Sequence, residues 1–319
     1  MPLPAGSKGT SILPSGKRKR AVKGTITYFS YLGQERNMAT STVLLIRPAS
    51  FGFNAETEGS NAFQNKVVEA REVIMEKALD EFDAFAAKLR SKGVDVEVYD
   101  DTSFPEKPDA IFPNNWISMH EDGKVILYPM MAENRRHERR EDIIKGLKEK
   151  FVVTDMLDLS GYEKEGKFLE GTGSIVFDHK NRIAYACLSP RTSEELLLKA
   201  CEFLNYKPVY FSAHDRNGKE IYHTNVMMCV GEGFAVVCTD SIEEGEKDIV
   251  TDSLSNSGHD IITISLGQME RFAGNMLALD GGMGKDILVL SQTSFDSLSK
   301  EQKDGLSGYC ELVPMSINT

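Results

Sequence analysis

Side chains of complementary chemistry gather at four corners of this sequence. They are Pro108-Asp109-Ala-Ile-Phe112-Pro-Asn114-Asn115-Trp116, Leu169-Glu170-Gly171-Thr172-Gly173-Ser174, Tyr222-His223-Thr224-Asn225 and Phe272-Ala-Gly274-Asn275. Carboxylates at Asp109 and Glu170, amides at Asn114, Asn115 and Asn275, and an imidazole at His223 are the groups that bind a small polar molecule. The imidazole can also exchange a proton with it near neutral pH. One such cluster is ordinary turn chemistry. Four in comparable places are a site signal, provided the elements around them bring the corners together.

Those elements repeat. Each corner opens an apolar hairpin, at Asn115, Ser174, Asn225 and Asn275, spaced by 59, 51 and 50 residues. The strands are short apolar runs broken by Gly, Asp or Asn. A helix is predicted after each hairpin, over about 134–149, 192–204, 241–256 and 294–304; Thr192-Ser-Glu-Glu and Ser241-Ile-Glu-Glu read as hydroxyl-capped starts. A further strand then follows at Phe151–Thr154, Pro208–Phe211, Ile261–Ile264 and Glu311–Pro314. Ahead of them, Val43–Arg47, a helix over Gln64–Lys92 and a strand over Val94–Tyr99 make a first unit with half a hairpin. The expectation is a five-unit α/β propeller closed by joining the chain ends, with the corners around one cavity. The expected last hairpin is missing before Thr319, which leaves Val43–Arg47 with an unpaired edge.

Composition narrows the class. Residues 1–37 hold seven bases and one acid, with the run Lys17-Arg-Lys-Arg, and read as a basic, disordered extension or a mitochondrial or nuclear targeting arm. Residues 38–319 form the incomplete propeller domain and carry 30 bases and 47 acids, a formal charge of −17, which argues against nonspecific nucleic-acid binding. No apolar run approaches the roughly 18 residues of a membrane span. Five Cys, odd in number and without a Cys-x-x-Cys pair, suit a reducing compartment such as the cytoplasm and read as small buried hydrophobes. The six His show no paired zinc-ligand spacing, and neither a dinucleotide fingerprint nor a Walker loop is present. No cofactor or metal is expected. A small amino-acid ligand is, and self-association stays open.

The five segments Pro108–Trp116, Asn134-Arg135-Arg136-x-Glu138-Arg139, Glu170-Gly-Thr-Gly-Ser, Ser189-Pro-Arg191-Thr and Tyr222-His223-Thr-Asn-Val together resemble the amidinotransferase and arginine deiminase superfamily, the pentein fold, and its citrulline-hydrolase branch most. The resemblance runs from about Val43 to Pro314. It implies Cys–His–acid chemistry on a guanidino or ureido carbon, with no cofactor. His223 would be the acid–base residue and Glu170 its orienting acid; Arg135 and Arg191 would hold the substrate's α-carboxylate, and Asp109, Asn114, Asn115 and Asn275 would bind substrate. A poor electrophile of this kind needs a thiolate, a proton for the leaving amine and an activated water.

Two features set this chain apart from the family pattern. Asn114-Asn115 stands where guanidinium-binding relatives carry Glu-Asp, and a neutral amide suits a ureido group rather than a buried cation. The nucleophilic Cys, expected in the fifth hairpin, has no counterpart here: Cys310 precedes the last strand rather than following it. The reading is therefore a hydrolase of citrulline to ornithine, ammonia and carbon dioxide in its complete form. Two alternatives stay open: an arginine deiminase or dihydrolase, and an inactive ligand-binding or regulatory protein of the same fold. Each residue also has a structural use to weigh: a core imidazole for His223, a turn carboxylate for Glu170, turn amides for Asn114-Asn115 and a solvated helix face for Arg135.

Overall fold

Residues 39–57, 59, 71–282, 284 and 286–317 are described by a computed structural model. The extension over 1–37, Met38 and the first turns of the helix expected from Gln64 lie outside them. The strands come in five sheets. In the first unit, β1 (Thr42–Arg47) leads through α1 (Arg71–Ser91) to β2 (Asp95–Asp100), which pairs with it in parallel. The second unit has β3 (Ile117–Met119), β4 (Lys124–Leu127), α2 (Glu141–Lys150) and β5 (Asp155–Asp158). The third has α3 (Gly171–Ser174), β6 (Val176–Asp178), β7 (Ile183–Cys187), α4 (Glu194–Leu204) and β8 (Lys207–Phe211). The fourth has β9 (Met228–Gly231), β10 (Phe234–Val237), α5 (Lys247–Asn256) and β11 (Asp260–Thr263). The fifth has α6 (Leu266–Met269), β12 (Leu277–Asp280), β13 (Asp286–Ser291), α7 (Gln292–Ser297), α8 (Lys300–Ser307) and β14 (Glu311–Met315). In units two to five the middle strand pairs antiparallel with the strand before it and parallel with the strand after the helix.

Neighbouring units touch in ring order. β1 meets the turn Pro113–Asn115, which meets α3; β6 meets β9 and β9 meets β12; and Asp280 N donates to Thr40 O, joining the fifth unit to the first. The expected propeller is therefore present, with β1 in the place of a middle strand. Its odd-numbered carbonyls, Ser41 and Arg47, accept from β2, so by strand alternation Leu44 and Ile46 turn their backbone groups the other way. Among the described residues no strand pairs with that edge, although Thr40 covers its start and Ile46 is buried. The side chains of β1 divide too: Leu44 and Ile46 pack into the second unit's core with Trp116, and Val43 and Leu45 into the fifth unit's with Val289 and Val313.

Several boundaries differ from the sequence reading. The strand expected at Phe151–Thr154 is β5, Asp155–Asp158; Phe151 instead closes α2 by donating its N–H to Leu147 O and plugs the core with its ring. The helix over 134–149 breaks at Arg140, whose extended backbone separates a 3-10 turn, Asn134–Glu138, from α2. The stretch 241–256 starts as two 3-10 turns, so α5 begins at Lys247 and not behind Ser241. The stretch 294–304 is two helices parted at Leu298–Ser299, where Ser299 and Gln302 form a capping box. Thr192 does not cap α4: it bridges back to Ser189 and Leu169, leaving Ser193 at the cap. The corner residues Asn115 and Ser174 sit in short helical turns ahead of their strands, Asn225 likewise, which bends these corners out of the sheets and toward one another.

Candidate active site

Three corners meet around Glu170. This residue precedes α3, is wholly buried, and receives Met131 N at 3.0 Å on Oε1. Its Oε2 lies 2.8 Å from His223 Nε2, 3.3 Å from Arg191 Nη1 and 3.9 Å from Arg135 Nη1. Burial alone would raise the carboxyl's pKa, but the His223 hydrogen bond and the Arg191 and Arg135 charges outweigh it and hold the group well below the usual carboxylate range. An ionised carboxylate only accepts, so Nε2 of His223 carries the proton and Nδ1 presents a lone pair. Burial pushes the His223 pKa down against the pull of Glu170, so the imidazole is neutral at pH 7.

The first corner supplies the opposite wall. Arg135 is buried and forks onto Glu138, with Nε and Nη2 at 2.8 and 3.0 Å; its Nε is 3.7 Å from Asp109 Oδ2. Burial pushes Glu138 up to about 7 in spite of its Arg135 partner. Asp109 also accepts from Asn54 Nδ2 at 2.7 Å, and Asn54 exchanges amide bonds with Asn134. Asn114 and Asn115 lie side by side, their amides 3.0 Å apart. Arg191 lies with its guanidinium 4.9 Å from the ring centre of Tyr222.

Two glycines make room for this assembly. Gly171, at φ +46°, lies so close to Asn114 O that a β-carbon would fall 2.1 Å from it. At Gly173 a β-carbon would fall 2.7 Å from Asn115 Oδ1 and 2.7 Å from His223 Nδ1. The missing side chain of Gly173 therefore lets the Asn115 amide and the His223 imidazole close over its α-carbon.

The structure thus brings together Asp109, Asn114, Asn115, Arg135, Glu170, Arg191 and His223. Asn275 is not drawn in: it is exposed, and its Nδ2 donates to Asn225 O of the neighbouring corner. Glu138, Asn54 and Gly173 escaped the sequence reading. Glu138 had a signal, three residues after Arg135 and so on the same helical face; Asn54, in a loop outside the repeat, had none. Among the described residues no thiol is placed against this cluster. The five Cys are free and buried; Cys187 Sγ points to Ile221 O and Cys310 Sγ to Leu306 O, each thiol pushed up to about 12 by burial. Nor do the described residues hold a cluster of three or more metal-ligating side chains, or a helix long and apolar enough to cross a membrane.

A ring of five α/β units with a buried acid, imidazole and paired guanidiniums at its centre defines a pentein of the amidinotransferase and arginine deiminase superfamily. Within that class, a family model described as N,N dimethylarginine dimethylhydrolase, eukaryotic, matches residues 47–319, and the chain belongs to that family. Among solved structures it is similar to ArgZ, an arginine dihydrolase from the ornithine-ammonia cycle in cyanobacteria, at 14% identity and TM-score 0.62; 86% of this chain is covered but 36% of that one, so the chain spans about a third of the whole ArgZ protein. The N-terminal domain of ArgZ, as a Cys-to-Ser variant bound to substrate, matches at 17% identity and TM-score 0.63, over 86% of this chain and 90% of that one. A His-to-Gly variant of dimethylarginine dimethylaminohydrolase, as its adduct with S-methyl-L-thiocitrulline, matches at 14% and 0.59, over 88% and 93%. Identities this low speak for the fold. No curated protein matches the sequence.

Proposed function

We propose that this site binds an α-amino acid with a neutral ureido end, L-citrulline foremost, and serves its C–N hydrolysis to ornithine, ammonia and carbon dioxide. The observation that carries the reading is the meeting of the neutral Asn114-Asn115 amides with an imidazole braced on Glu170, the two closing together over Gly173. The neighbours' chemistry supports the coarser class: ArgZ is named for arginine dihydrolysis, the family for hydrolysis of dimethylarginine. His223 Nδ1 takes the proton of an attacking thiol, returns it to the departing ammonia, and then accepts one from the water that cleaves the thiocarbamate. The carbamate so formed loses carbon dioxide to leave ornithine.

The thiol must come from outside the described residues. The 319-residue chain should therefore bind citrulline with little or no turnover, whereas a version extended by a Gly-rich, Cys-bearing strand against the open edge of β1 should release ornithine. The check is ornithine and ammonia release from both forms, with calorimetry for binding. Comparable turnover in the short form would overturn this division of labour, and Cys310→Ser would show whether that thiol takes part. Binding without turnover in either form would favour the regulatory reading.

Asp109 supports a second reading. A carboxylate 3.7 Å from Arg135, together with the family's name, suits a cationic guanidinium such as Nω,Nω-dimethylarginine. Citrulline, arginine and dimethylarginine assayed side by side on the extended form separate the two. Arginine converted to citrulline with no ornithine, or dimethylarginine cleaved in preference, would sink the ureido reading.

A further inference from the structure

Three carboxylates share two guanidiniums at the centre of this site. Arg135 forks onto Glu138 and lies 3.7 Å from Asp109 and 3.9 Å from Glu170, while Arg191 lies 3.3 Å from Glu170. With His223 neutral, three negative and two positive groups leave a formal charge of −1. The other arginines of the same segment are spent elsewhere: Arg136 donates to the carbonyls of Met130 and Met131, Arg139 pairs with Glu163, and Arg140 with Asp142. A surplus charge held away from water is costly. The cluster therefore favours taking up a proton or a cation.

Where a proton would sit follows from the partners. Glu170 accepts from His223 Nε2 and Met131 N and faces both guanidiniums. Asp109 accepts from Asn54 and is partly exposed. Glu138 is buried with Arg135 as its cation, and the other two acids draw on the same Arg135. Arg135, Asp109 and Glu170 are the charged groups that face it. Burial, with Asp109 and Glu170 acting in the same direction, holds the Glu138 carboxyl up at about 7 against the pull of Arg135.

We propose that Glu138 is a specificity-determining counter-charge, which keeps a proton while the site is empty or holds a neutral ureido amino acid and releases it to solvent when a cationic guanidino amino acid binds. This inference rests on the reading of the cluster as an amino-acid site and deepens it, because one constellation then admits both substrate classes and pH weights them. In acid the proton has to be displaced before L-arginine binds, so arginine affinity falls toward tenfold per pH unit. Above neutrality Glu138 is already ionised and the affinity levels off. L-citrulline brings no net charge and leaves the proton in place. Neither ligand changes its own charge between pH 6 and 8, and His223 stays neutral at pH 7 and above.

The test is calorimetry of the 319-residue chain with L-arginine and L-citrulline at pH 6, 7 and 8, in phosphate and in imidazole buffer. Arginine affinity should rise about tenfold from pH 6 to 8, and its binding at pH 7 should release about half a proton, read as a heat that changes with the buffer. Citrulline affinity should hold within about twofold, without that heat. In Glu138→Gln the arginine affinity should be the same at every pH. Infrared spectra of the free chain supply an arm that needs no ligand: a protonated-carboxyl band present at pH 6, lost by pH 8, and missing from Glu138→Gln. An arginine affinity flat with pH, a slope that survives Glu138→Gln, or no such band at pH 6 overturns the assignment. If Glu138→Gln does not fold, Asp109→Asn is read instead; with one carboxylate fewer the charges balance, so slope and band should both go, and a slope that stays overturns the proposal. A chain that binds neither amino acid overturns the amino-acid reading and the exchange with it, while the band separately shows whether Glu138 holds the proton.

Discussion

Glu170 and His223 form a pair in which each sets the other's charge. Glu170 raises the His223 pKa against burial, so Glu170→Gln should lower it further, followed by the imidazole's NMR titration. A titration that moves upward would show that the carboxylate is not its main partner. Gly173→Ala asks a different question, because Gly173 has no left-handed backbone angle and owes its identity to space alone. Alanine there should lower thermal stability by about 1–3 kcal/mol, since its β-carbon meets the Asn115 amide and the His223 ring at 2.7 Å, and should lower citrulline affinity by at least about tenfold; full binding would mean that the ligand sits elsewhere. Both residues lie in corners legible from the sequence, since a repeat that bends inward at equal intervals marks its own centre. Asn54 and Gly173 were not legible, because each acts through a residue from another unit, whereas Glu138 sits three residues from Arg135 and its signal was passed over. Asn275 misled for the converse reason: it shares the repeat position but spends its amide on a neighbouring backbone carbonyl.

At the scale of elements, Trp116 anchors the first corner. It is fully buried in one core with residues of β1 and α2, and among the described residues its indole Nε1 has no hydrogen-bond partner. Trp116→Ala should cost about 3–5 kcal/mol, and Trp116→Phe, which keeps the ring and removes the unmet N–H, clearly less. Urea unfolding compares them; equal losses would mean that the N–H finds a partner after all. On β1, the amides of Val43 and Leu45 face β2 and that of Leu44 faces the open edge. Hydrogen exchange should therefore be faster at Leu44 than at either neighbour, and equal protection would reveal something covering the edge. Strand order and direction followed from apolar runs and turns in the sequence. Helix starts did not, because hydroxyl residues such as Thr192 and Ser241 were drawn into bridges and 3-10 turns by the corners they adjoin. Nor did β5, since Phe151 supplies an apolar signal whose use is to close a helix.

For the whole molecule, acid is the revealing perturbant. His179 and His120 meet where the second and third units join, with ring centres 6.3 Å apart beside Phe177 and Tyr206. Burial, then the Arg182 charge, lowers His179 to about 4, and His120 is likewise depressed, chiefly by burial. A folded-state pKa below the unfolded 6.5 means that the unfolded chain binds more protons in between. The contribution is complete above pH 6.5 and is lost as pH falls toward 4, a change of order 1 to 3 kcal/mol for His179. Urea midpoints at pH 7 and 5 should differ accordingly, and His179→Gln should shrink the difference. An unchanged slope would place the acid response elsewhere. Glu170, depressed in its turn, adds acid sensitivity only below about pH 4.5.

The bonds that build the site join distant stretches of chain: Glu170 to His223 across 53 residues, Asn54 to Asn134 across 80. Each unit, by contrast, closes on its own helix and strands, so its contacts form early and locally. The strands and helices of three units are synthesised before His223 is translated. No recognition can begin until the ring is nearly assembled, and a ligand cannot guide the early steps. What it can do is fasten the finished molecule. A compound that binds only the closed ring adds about 2.7 kcal/mol at a hundredfold excess over its Kd, spread over every unit that contributes a corner, so that separately folding modules come to melt as one.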